Sequence, residues 1–270
     1  MIQNWEVVLI AYEQAVQELK VKFKSIRNEF RQLDEYSPIE FVTGRVKKVS
    51  SIIDKAKLRD IPLEINRIVD EIEDIAGIRI MCQFQEDINT VANIIRQRHG
   101  KDLEIIEERD YINNIKESGY RSYHIIIRYP VQTAFGEKKI LAEIQIRTLA
   151  MNFWATIEHS LNYKYKHNIP EDVKVRLKSA ADAAYKLDQD MSQMRDEIMS
   201  AQEEFQAKTS LVSSTLNLLQ SMFFSGRVLE IETLQEQFYE LQQEGNYFKL
   251  KEFRRSLESI AEQCGINQVY

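Results

Sequence analysis

Apolar residues recur at alternating spacings of four and three over the first 33 positions of the chain. The series begins at Trp5, passes through Tyr12 and Leu19, and ends at Leu33. This is the period of one face of an α-helix, so the sequence predicts a single long amphipathic helix at the N-terminus. Four cations repeat the 4-3-4 spacing and share one stripe of that helix, which by itself indicates a solvated face: Lys20, Lys24, Arg27 and Arg31.

A second pattern, the alternation of apolar and polar residues, predicts β-strands. Residues 75–84 alternate in this way and place Arg79 on the less apolar face. Segments 120–130 and 139–148 flank a turn at residues 135–137, as the two strands of a hairpin do. Residues 41–60 read as a short extended piece that leads into a helix, and Gly44 is expected to make the turn.

Helical patterns cover most of the remaining chain. They span residues 88–98 and 149–166, and another begins at Pro170 and meets no glycine or proline before Gly226. Inside this last stretch, apolar residues keep a heptad-like spacing from Leu177 to Phe205, which predicts packing against a second long helix of the same chain or of a neighbouring subunit. The expected class is α+β, with a mixed sheet of about five strands flanked by helices and with long N- and C-terminal helices.

Composition indicates an ordinary globular protein. The 270 residues are 44% hydrophobic and carry a formal net charge of −6, which argues against broad electrostatic binding to nucleic acid or to an anionic membrane. Any anion site must therefore be local. No apolar run is long enough to span a bilayer and no signal peptide is recognisable, so a cytoplasmic location is expected. The two cysteines, Cys82 and Cys264, lack the spacing of metal ligands.

Polar side chains on the predicted strands point to phosphoryl chemistry. Asp74 and Glu143 could hold Mg²⁺ through a few carboxylate oxygens, with water and phosphate completing the shell, while nearby cations offset polyphosphate charge. Tyr120 offers a face on which a base could stack, worth about 1–3 kcal/mol. Taken singly, Asp74 could be a turn residue and His124 a structural histidine. The set expected on one sheet face is Asp74, Arg79, Tyr120, Ser122, His124, Glu143 and Gln145.

Four runs, in order and spacing, resemble the small alarmone synthetases of bacteria, which are single-domain members of the RelA/SpoT-type synthetase family. The runs are SPIEFVTGRVKKVSSI, EDIAGIRIMCQF, RDYINNIKESGYRSYH and EIQIRTLAMNFWATIEHSLNYKY. The resemblance covers about residues 1–205. It implies a synthetase domain over 1–205, including the long terminal helices, and leaves 206–270 as a helical C-terminal extension of unknown role.

The resemblance implies a GTP/GDP pyrophosphokinase that transfers the β,γ-pyrophosphate of ATP to the 3′-hydroxyl of GTP or GDP in the stringent response. Asp74 and Glu143 match the catalytic carboxylates that share Mg²⁺, and Glu143 is placed to draw the proton from the 3′-oxygen. The residues that match ATP-binding positions are Arg45, Arg79, Lys47, Ser51, Lys55 and Arg59. Those that match GTP/GDP-binding positions are Tyr120, Lys116, His124, Arg109 and Gln145.

The same resemblance implies regulation by the product. Some family members are homotetramers that bind the guanosine penta- or tetraphosphate alarmone at a subunit interface, and the basic stripe of the first helix then becomes a phosphate-binding surface. The residues that match these regulatory positions are Lys20, Lys24, Phe41, Thr43 and Asn152. No histidine of the chain is followed by aspartate, so the His-Asp metal site of the family's hydrolase domains is not expected here.

Two other functions fit the same residues. A nucleotidyltransferase uses similar carboxylates and Mg²⁺ but attacks the α-phosphate of its donor and releases pyrophosphate. A non-catalytic module that binds nucleotides or single-stranded RNA would use the cationic, tyrosine-rich stretch to stack bases. Asp74 and Glu143 argue against the second alternative, because a pure binder of polyanions gains nothing from two carboxylates in its groove.

Overall fold

The computed structural model describes residues 5–165, 169–226 and 230–266. Within them the chain forms eight helices and five strands. In chain order they are α1 (Trp5–Gln32), β1 (Phe41–Val46), α2 (Val49–Leu58), α3 (Ile65–Glu71), β2 (Ala76–Cys82), α4 (Gln85–Arg96), β3 (Glu104–Asp110), β4 (Tyr123–Thr133), β5 (Gly136–Thr148), α5 (Leu149–Lys164), α6 (Glu171–Ser225), α7 (Ile231–Glu244) and α8 (Tyr247–Gln263).

The strands form one mixed sheet in the order β1-β2-β5-β4-β3. β2 and β5 run parallel, and the other three pairs are antiparallel. The parallel pair places Gly77 beside Glu143 and Arg79 beside Gln145, and the β4-β5 hairpin places His124 beside Gln145. The α+β class, the five-stranded mixed sheet and the long terminal helices are confirmed.

The main core lies between the apolar face of the sheet and the helices that cover it. α1 contributes buried side chains such as Val16, Leu19 and Phe23, and the strands contribute Ile78 and Ile144. Each side chain of this size stabilises the fold by about 1.5–3 kcal/mol when it is fully buried. The spacing of four and three in α1 thus presents one continuous apolar stripe to the sheet, as the sequence predicted.

Gly44 lies inside β1 and does not make a turn, so that expectation is wrong. It pairs with Ile78 on β2. A Cβ built at this position would stand 2.9 Å from Ile78 Cδ1, 2.9 Å from Val16 Cγ1 and 3.1 Å from Lys20 Cδ. Helix α1 therefore approaches the strand so closely that only glycine fits without a shift of its neighbours.

The described chain divides into two compact units, one that ends at Ser192 and one that begins at Gln193, and α6 contributes residues to both. The first unit contains the sheet. The second has an apolar core of its own, formed by the C-terminal part of α6 with α7 and α8, and centred on Leu219, Met222, Phe238 and Leu257. No helix of the described ranges is long and apolar enough to cross a membrane.

Candidate active site

One face of the sheet carries polar side chains from β1, β2, β4 and β5. Because paired residues on neighbouring strands point the same way, the register that joins Arg79 to Gln145 and Gln145 to His124 brings the three side chains to the same face. Arg45 on β1 pairs with Gly77, which in turn lies beside Glu143. The missing side chain at Gly77 leaves open space between these two charged residues.

Glu143 is buried, with only 9% of its surface exposed, and both of its oxygens accept hydrogen bonds. Its Oε1 lies 2.9 Å from His124 Nδ1, and its Oε2 accepts from Gln145 Nε2 at 2.6 Å. Burial acts to raise the pKa of Glu143, but the hydrogen bond from His124, together with the bond from Gln145, brings that pKa below its ordinary value. The carboxylate is therefore ionised and ready to accept a proton.

A chain of polar contacts extends from Glu143 through His124 to Tyr120 and Arg147. Tyr120 Oη lies 2.8 Å from His124 Nε2 and accepts from Arg147 Nη2 at 2.5 Å. With the histidine proton on Nδ1, every donor points toward the carboxylate: Arg147 to Tyr120, Tyr120 to His124, and His124 to Glu143. Burial raises the pKa of Tyr120, which keeps its hydroxyl protonated for this role.

Asp74 is the second carboxylate, and two lysines hold it. Lys47 Nζ lies 2.7 Å from Asp74 Oδ2, and Lys55 Nζ, on α2, lies 2.9 Å from Oδ1. Burial acts to raise the pKa of Asp74, but the hydrogen bond from Lys47 and the charges of both lysines lower it below its ordinary value. A half-buried aspartate between two lysines concentrates positive charge where a polyphosphate could replace the carboxylate as their partner.

A cavity of about 230 Å³ opens between these groups. The carboxylates of Asp74 and Glu143 both line it, and the charge of Asp74 acts to raise the pKa of Glu143. Two arginines line the same cavity, and the pKa of Arg79 is lowered by burial and then by the charges of Arg147 and Arg45. The sequence-predicted residues that line the cavity are Thr43, Arg45, Asp74, Arg79, Glu143 and Gln145.

Ser51 and Arg59 occupy different parts of α2. Ser51 is half-buried one turn before Lys55, on the same helix face, so it lies toward the lysine pair. Arg59 is the exposed residue that ends the helix. Neither residue is among those that line the cavity.

The loop between β3 and β4 supplies an aromatic cluster with a cation. Lys116 Nζ stands 4.2 Å from the ring centre of Tyr111 and 5.1 Å from that of Tyr120. Burial lowers the pKa of Lys116, although the charge of Glu143 acts in the opposite direction. The ring of His124 meets Tyr111 edge-on, with centroids 5.0 Å apart. These contacts form one surface of ring faces and positive charge, suited to a base and its phosphates.

Arg109 is committed to other partners in this structure. Its guanidinium donates to Glu73 at 2.7 and 2.9 Å and also to Glu107. The Cα atoms of Arg109 and His124 are paired across β3 and β4, so the residue lies beside the site. Contact with a nucleotide would require its guanidinium to leave at least one of these carboxylates.

The residues expected to bind a regulatory ligand lie on three elements. Lys20 and Lys24 are one turn apart on α1, and the Lys20 stem packs at Gly44 of β1. Thr43 points to the other side of β1 and lines the cavity, whereas Phe41 is 36% exposed at the start of the strand. Asn152 is on α5, and its Oδ1 is buried without a hydrogen-bond partner in the described chain.

Three residues near the site were not among the predicted ligands. Arg147 is 4% exposed and donates to Ser122 Oγ at 3.1 Å and to Gln145 Oε1 at 2.8 Å, in addition to Tyr120. Alternation along β5 places Arg147 on the polar face, but does not tell a ligand from a support. Tyr111 was one of several tyrosines in the same stretch. The pKa of His159 on α5 is lowered by burial and by the charges of Arg45 and Arg79.

Asp74 and Glu143 satisfy one requirement of a hard divalent cation, because both offer carboxylate oxygens to a single cavity. No cluster of three or more His, Cys, Asp or Glu residues is arranged to hold a metal in the parts of the chain that the structure describes. A cation at this position would therefore need further oxygens from water and from a nucleotide.

Comparison with known proteins gives matches that agree with one another. The family model described as the region found in RelA / SpoT proteins matches residues 44–168. The GTP pyrophosphokinase YjbM of Bacillus subtilis (strain 168) is 56% identical over 206 residues, which are 76% of this chain and 95% of that protein.

Solved structures support the same relationship. Small alarmone synthetase 1 from Bacillus subtilis, bound to its product pppGpp, matches with a TM-score of 0.68 and 57% identity, over 72% of this chain and 97% of that chain. The same enzyme bound to AMPCPP matches with a TM-score of 0.64 and 55% identity, over 73% and 98% of the two chains. The chain therefore belongs to the small alarmone synthetases of the RelA/SpoT family of GTP pyrophosphokinases.

Proposed function

We propose that this protein transfers the β,γ-pyrophosphate of ATP to the ribose 3′-hydroxyl of GTP or GDP. The 3′-oxygen attacks the β-phosphorus, the bond to the oxygen that bridges the α- and β-phosphates breaks, and AMP leaves. The products are pppGpp or ppGpp. Support comes from the relative named GTP pyrophosphokinase and from the neighbours solved with pppGpp and with AMPCPP. Both substrates are cytoplasmic nucleotides, so a cytoplasmic location goes with the proposal.

The observation that carries the proposal is the environment of Glu143. The carboxylate is buried and ionised, its two oxygens are oriented by His124 and Gln145, and it lines a cavity rimmed by arginines. A carboxylate held in this way is suited to accept the proton of a 3′-hydroxyl as the oxygen attacks. Glu143 is accordingly assigned as the general base.

The donor nucleotide is proposed to bind on the β1-β2 side of the cavity. Arg45 and Arg79 approach from neighbouring strands, and their planar guanidinium groups can stack on both faces of adenine. Lys47 and Lys55 are at hand for the phosphates, with Asp74 as their partner until the nucleotide arrives. Ser51 and Arg59 extend this phosphate surface along α2.

The acceptor nucleotide is proposed to bind on the β4 side. Tyr120 would stack on guanine, and Lys116, which already stands over the rings of Tyr111 and Tyr120, would reach a phosphate. His124 and Gln145 hold Glu143 and border the position of the ribose. Arg109 would exchange Glu107 or Glu73 for phosphate oxygens.

Mg²⁺ is proposed as the cofactor, held by Asp74 and Glu143. The fit rests on two carboxylates that share a cavity with Arg45 and Arg79, and on the pairing of Asp74 with Lys47 and Lys55. When bound, the cation would supply charge that neutralises the polyphosphate oxygens. Lys47 and Lys55 would then be free to turn from Asp74 toward the nucleotide.

Product analysis tests the proposal directly. The protein is incubated with ATP, Mg²⁺ and either GTP or GDP, and the nucleotides are separated by anion exchange. AMP in equal amount with a 3′-pyrophosphorylated guanine nucleotide is the expected result. Release of pyrophosphate would instead support a nucleotidyltransferase, and binding of nucleotides or single-stranded RNA without turnover would support a binding module. A parallel assay with the purified product should show no degradation.

Product regulation and a homotetramer are proposed on the family resemblance and on the placement of Lys20, Lys24, Phe41, Thr43 and Asn152. Added pppGpp or ppGpp should change the initial rate of the wild-type enzyme, and variants at Lys24 or Asn152 should respond less. An unchanged initial rate for the wild type would remove the regulatory proposal. Light scattering of the full chain and of a chain ending at residue 205 would measure the subunit number and the effect of residues 206–270 on it.

A further inference from the structure

The root of the loop that carries Tyr111, Lys116 and Tyr120 rests directly on helix α6. Gly119 has a φ of +86°, and a Cβ built on it would lie 2.7 Å from Ala181 Cβ and 3.5 Å from Lys178 Cα. Both the backbone conformation and the lack of space require glycine here. The loop and the helix are thus in contact along their backbones, and a side chain at Gly119 would push them apart.

Arg121 fastens this contact from the other side of Tyr120. It is 7% exposed, and its Nη1 donates to the carbonyl oxygens of Gly119 at 3.1 Å and Ala181 at 3.3 Å. Its Nη2 donates to Asp182 Oδ1 at 2.8 Å, and its guanidinium carbon lies 4.5 Å from the ring centre of Tyr185. One buried cation therefore bridges the loop root to three residues of α6, Ala181, Asp182 and Tyr185, which lie within about one turn of the helix. No neutral side chain could make the same set of contacts.

Tyr120 lies between these two fastening points. Its side chain packs on the small cluster formed by Trp154 and Ala155 of α5 with Ala181 of α6. Trp154 is itself tied to α6, because its Nε1 donates to the carbonyl oxygen of Leu177 at 2.8 Å. The position of the Tyr120 ring is consequently set by α6 through its two chain neighbours and by α5 through packing.

We propose that Arg121 is a positioning residue that holds the acceptor-binding loop in its binding conformation by tying it to α6. The inference rests on the proposed function, in which Tyr120 and Lys116 contact the guanine nucleotide. A loop released from α6 would have to be ordered when the nucleotide binds, and the ordering cost would appear as weaker acceptor binding. The ATP side is built from β1, β2 and α2, and none of these elements supplies a partner in the contacts that Arg121 makes with the loop and α6, which together form the latch. ATP binding should therefore be unaffected.

The test compares steady-state kinetics of the full-length wild type with Arg121→Met, Arg121→Lys and Asp182→Asn. If the loop is ordered in only about a tenth of the Arg121→Met molecules, the KM of that variant for GTP or GDP rises about tenfold. The KM for ATP should stay within about twofold of the wild type, and Arg121→Lys and Asp182→Asn should be intermediate. Arg176→Met, at an exposed position on the same helix, is the matched control and should behave as the wild type.

Hydrogen exchange supplies a readout that does not depend on turnover. Amides of residues 111–122 should exchange faster in Arg121→Met than in the wild type, and saturating GDP should restore part of the protection. Asp182 is 57% exposed, so Asp182→Asn keeps the test available if Arg121→Met does not fold. The latch would be overturned if Arg121→Met had a lower Tm but kept the wild-type KM for the acceptor and the wild-type exchange of the loop amides, while the wild type itself makes AMP. A wild type that makes no AMP would overturn the proposed function instead.

Discussion

His124 Nδ1 lies 2.9 Å from Glu143 Oε1, across the boundary between β4 and β5. The contact aligns the carboxylate and lowers its pKa against the opposing effect of burial. It also links Glu143 to Tyr120, whose hydroxyl meets the other ring nitrogen at 2.8 Å. The imidazole of His124 therefore links the proposed general base, Glu143, to the proposed guanine-stacking residue, Tyr120, through one polar contact at each ring nitrogen.

Replacing Glu143 with glutamine should remove the proton acceptor while preserving the shape of the side chain. We expect product formation to fall by about 10²- to 10⁴-fold, the usual contribution of a general base. Isothermal titration with ATP and GDP should still detect binding, because the cationic and aromatic contacts remain. Near wild-type turnover in Glu143→Gln would show that another group takes the proton.

The pH dependence of His124→Phe follows from the pKa of Glu143. In the wild type the pKa of Glu143 is lowered. The carboxylate therefore stays ionised at every pH above that lowered pKa, and it is protonated only as the pH falls through it. Without the imidazole, burial and the charge of Asp74 remain and raise the pKa. The acid limb of kcat/KM should therefore move to higher pH in the residual activity of the variant.

This experiment has a natural control in His99→Gln, since His99 lies in the loop before β3 and contacts the Ile105 amide. Its acid limb should coincide with that of the wild type. If His124→Phe leaves the limb in place or shifts it downward, the limb belongs to a group other than Glu143.

Asp188 on α6 should make stability depend on pH. Burial raises its pKa to about 6, and a hydrogen bond from Thr148 Oγ1 at 2.5 Å only partly opposes this. Because the folded pKa is above the ordinary value of 3.8, the stabilisation is present below pH 3.8 and is lost as the pH rises through about 6. Asp188→Asn should thus increase the free energy of unfolding at pH 7.5 by up to about 3 kcal/mol.

Denaturant unfolding of both proteins between pH 4 and 8 measures this effect. The gain from Asp188→Asn should shrink as the pH falls, because the wild-type carboxyl becomes protonated and then resembles the amide. Asp190→Asn is the matched control, since the side chain of that residue is 45% exposed on the same helix and pairs with Lys186. An equal gain in the free energy of unfolding at every pH would show that ionisation of Asp188 is not the cause of the effect.

Gly44→Ala should destabilise the first unit. Its methyl group would meet Ile78 and Val16 at 2.9 Å, and overpacking of this kind costs about 1–3 kcal/mol. Gly77→Ala is the matched substitution on the next strand, where the nearest atom, Arg45 O, is 3.8 Å away. Thermal unfolding should give a clearly lower Tm for Gly44→Ala than for Gly77→Ala. Equal Tm values would mean that α1 can move away from β1 at little cost.

Periodicity made much of the fold predictable. The apolar stripe of α1, the alternation of β2 and the β4-β5 hairpin are local patterns, and each reports which face of an element is buried. Strand β3 was not identified from the sequence, because its run of Glu104 to Asp110 is mostly charged. It is an edge strand held by backbone pairing with β4, and solvated edge strands do not need an apolar face.

Local patterns were less informative about particular side chains. Nothing in the sequence distinguishes a glycine in a turn from one pressed against a helix, and only the packing of α1 on β1 decides the role of Gly44. Likewise, alternation put Arg147 on the polar face, but its contacts with Tyr120, Gln145 and Ser122 depend on the pairing of β4 with β5. Arg121 shows the same limit, since its partners on α6 are some sixty residues away.

The sequence by itself determined the α+β class, the family and the set of residues that we propose to carry the chemistry, because these depend on local periods and on motifs of fixed spacing. The tertiary structure decided which of those residues meet. Glu143 is oriented by His124 and Gln145, whereas Asp74 is held by Lys47 and Lys55. The physical reason is that a strand's alternation specifies its faces but not its neighbours, and only the parallel pairing of β2 with β5 brings the two carboxylates to one cavity.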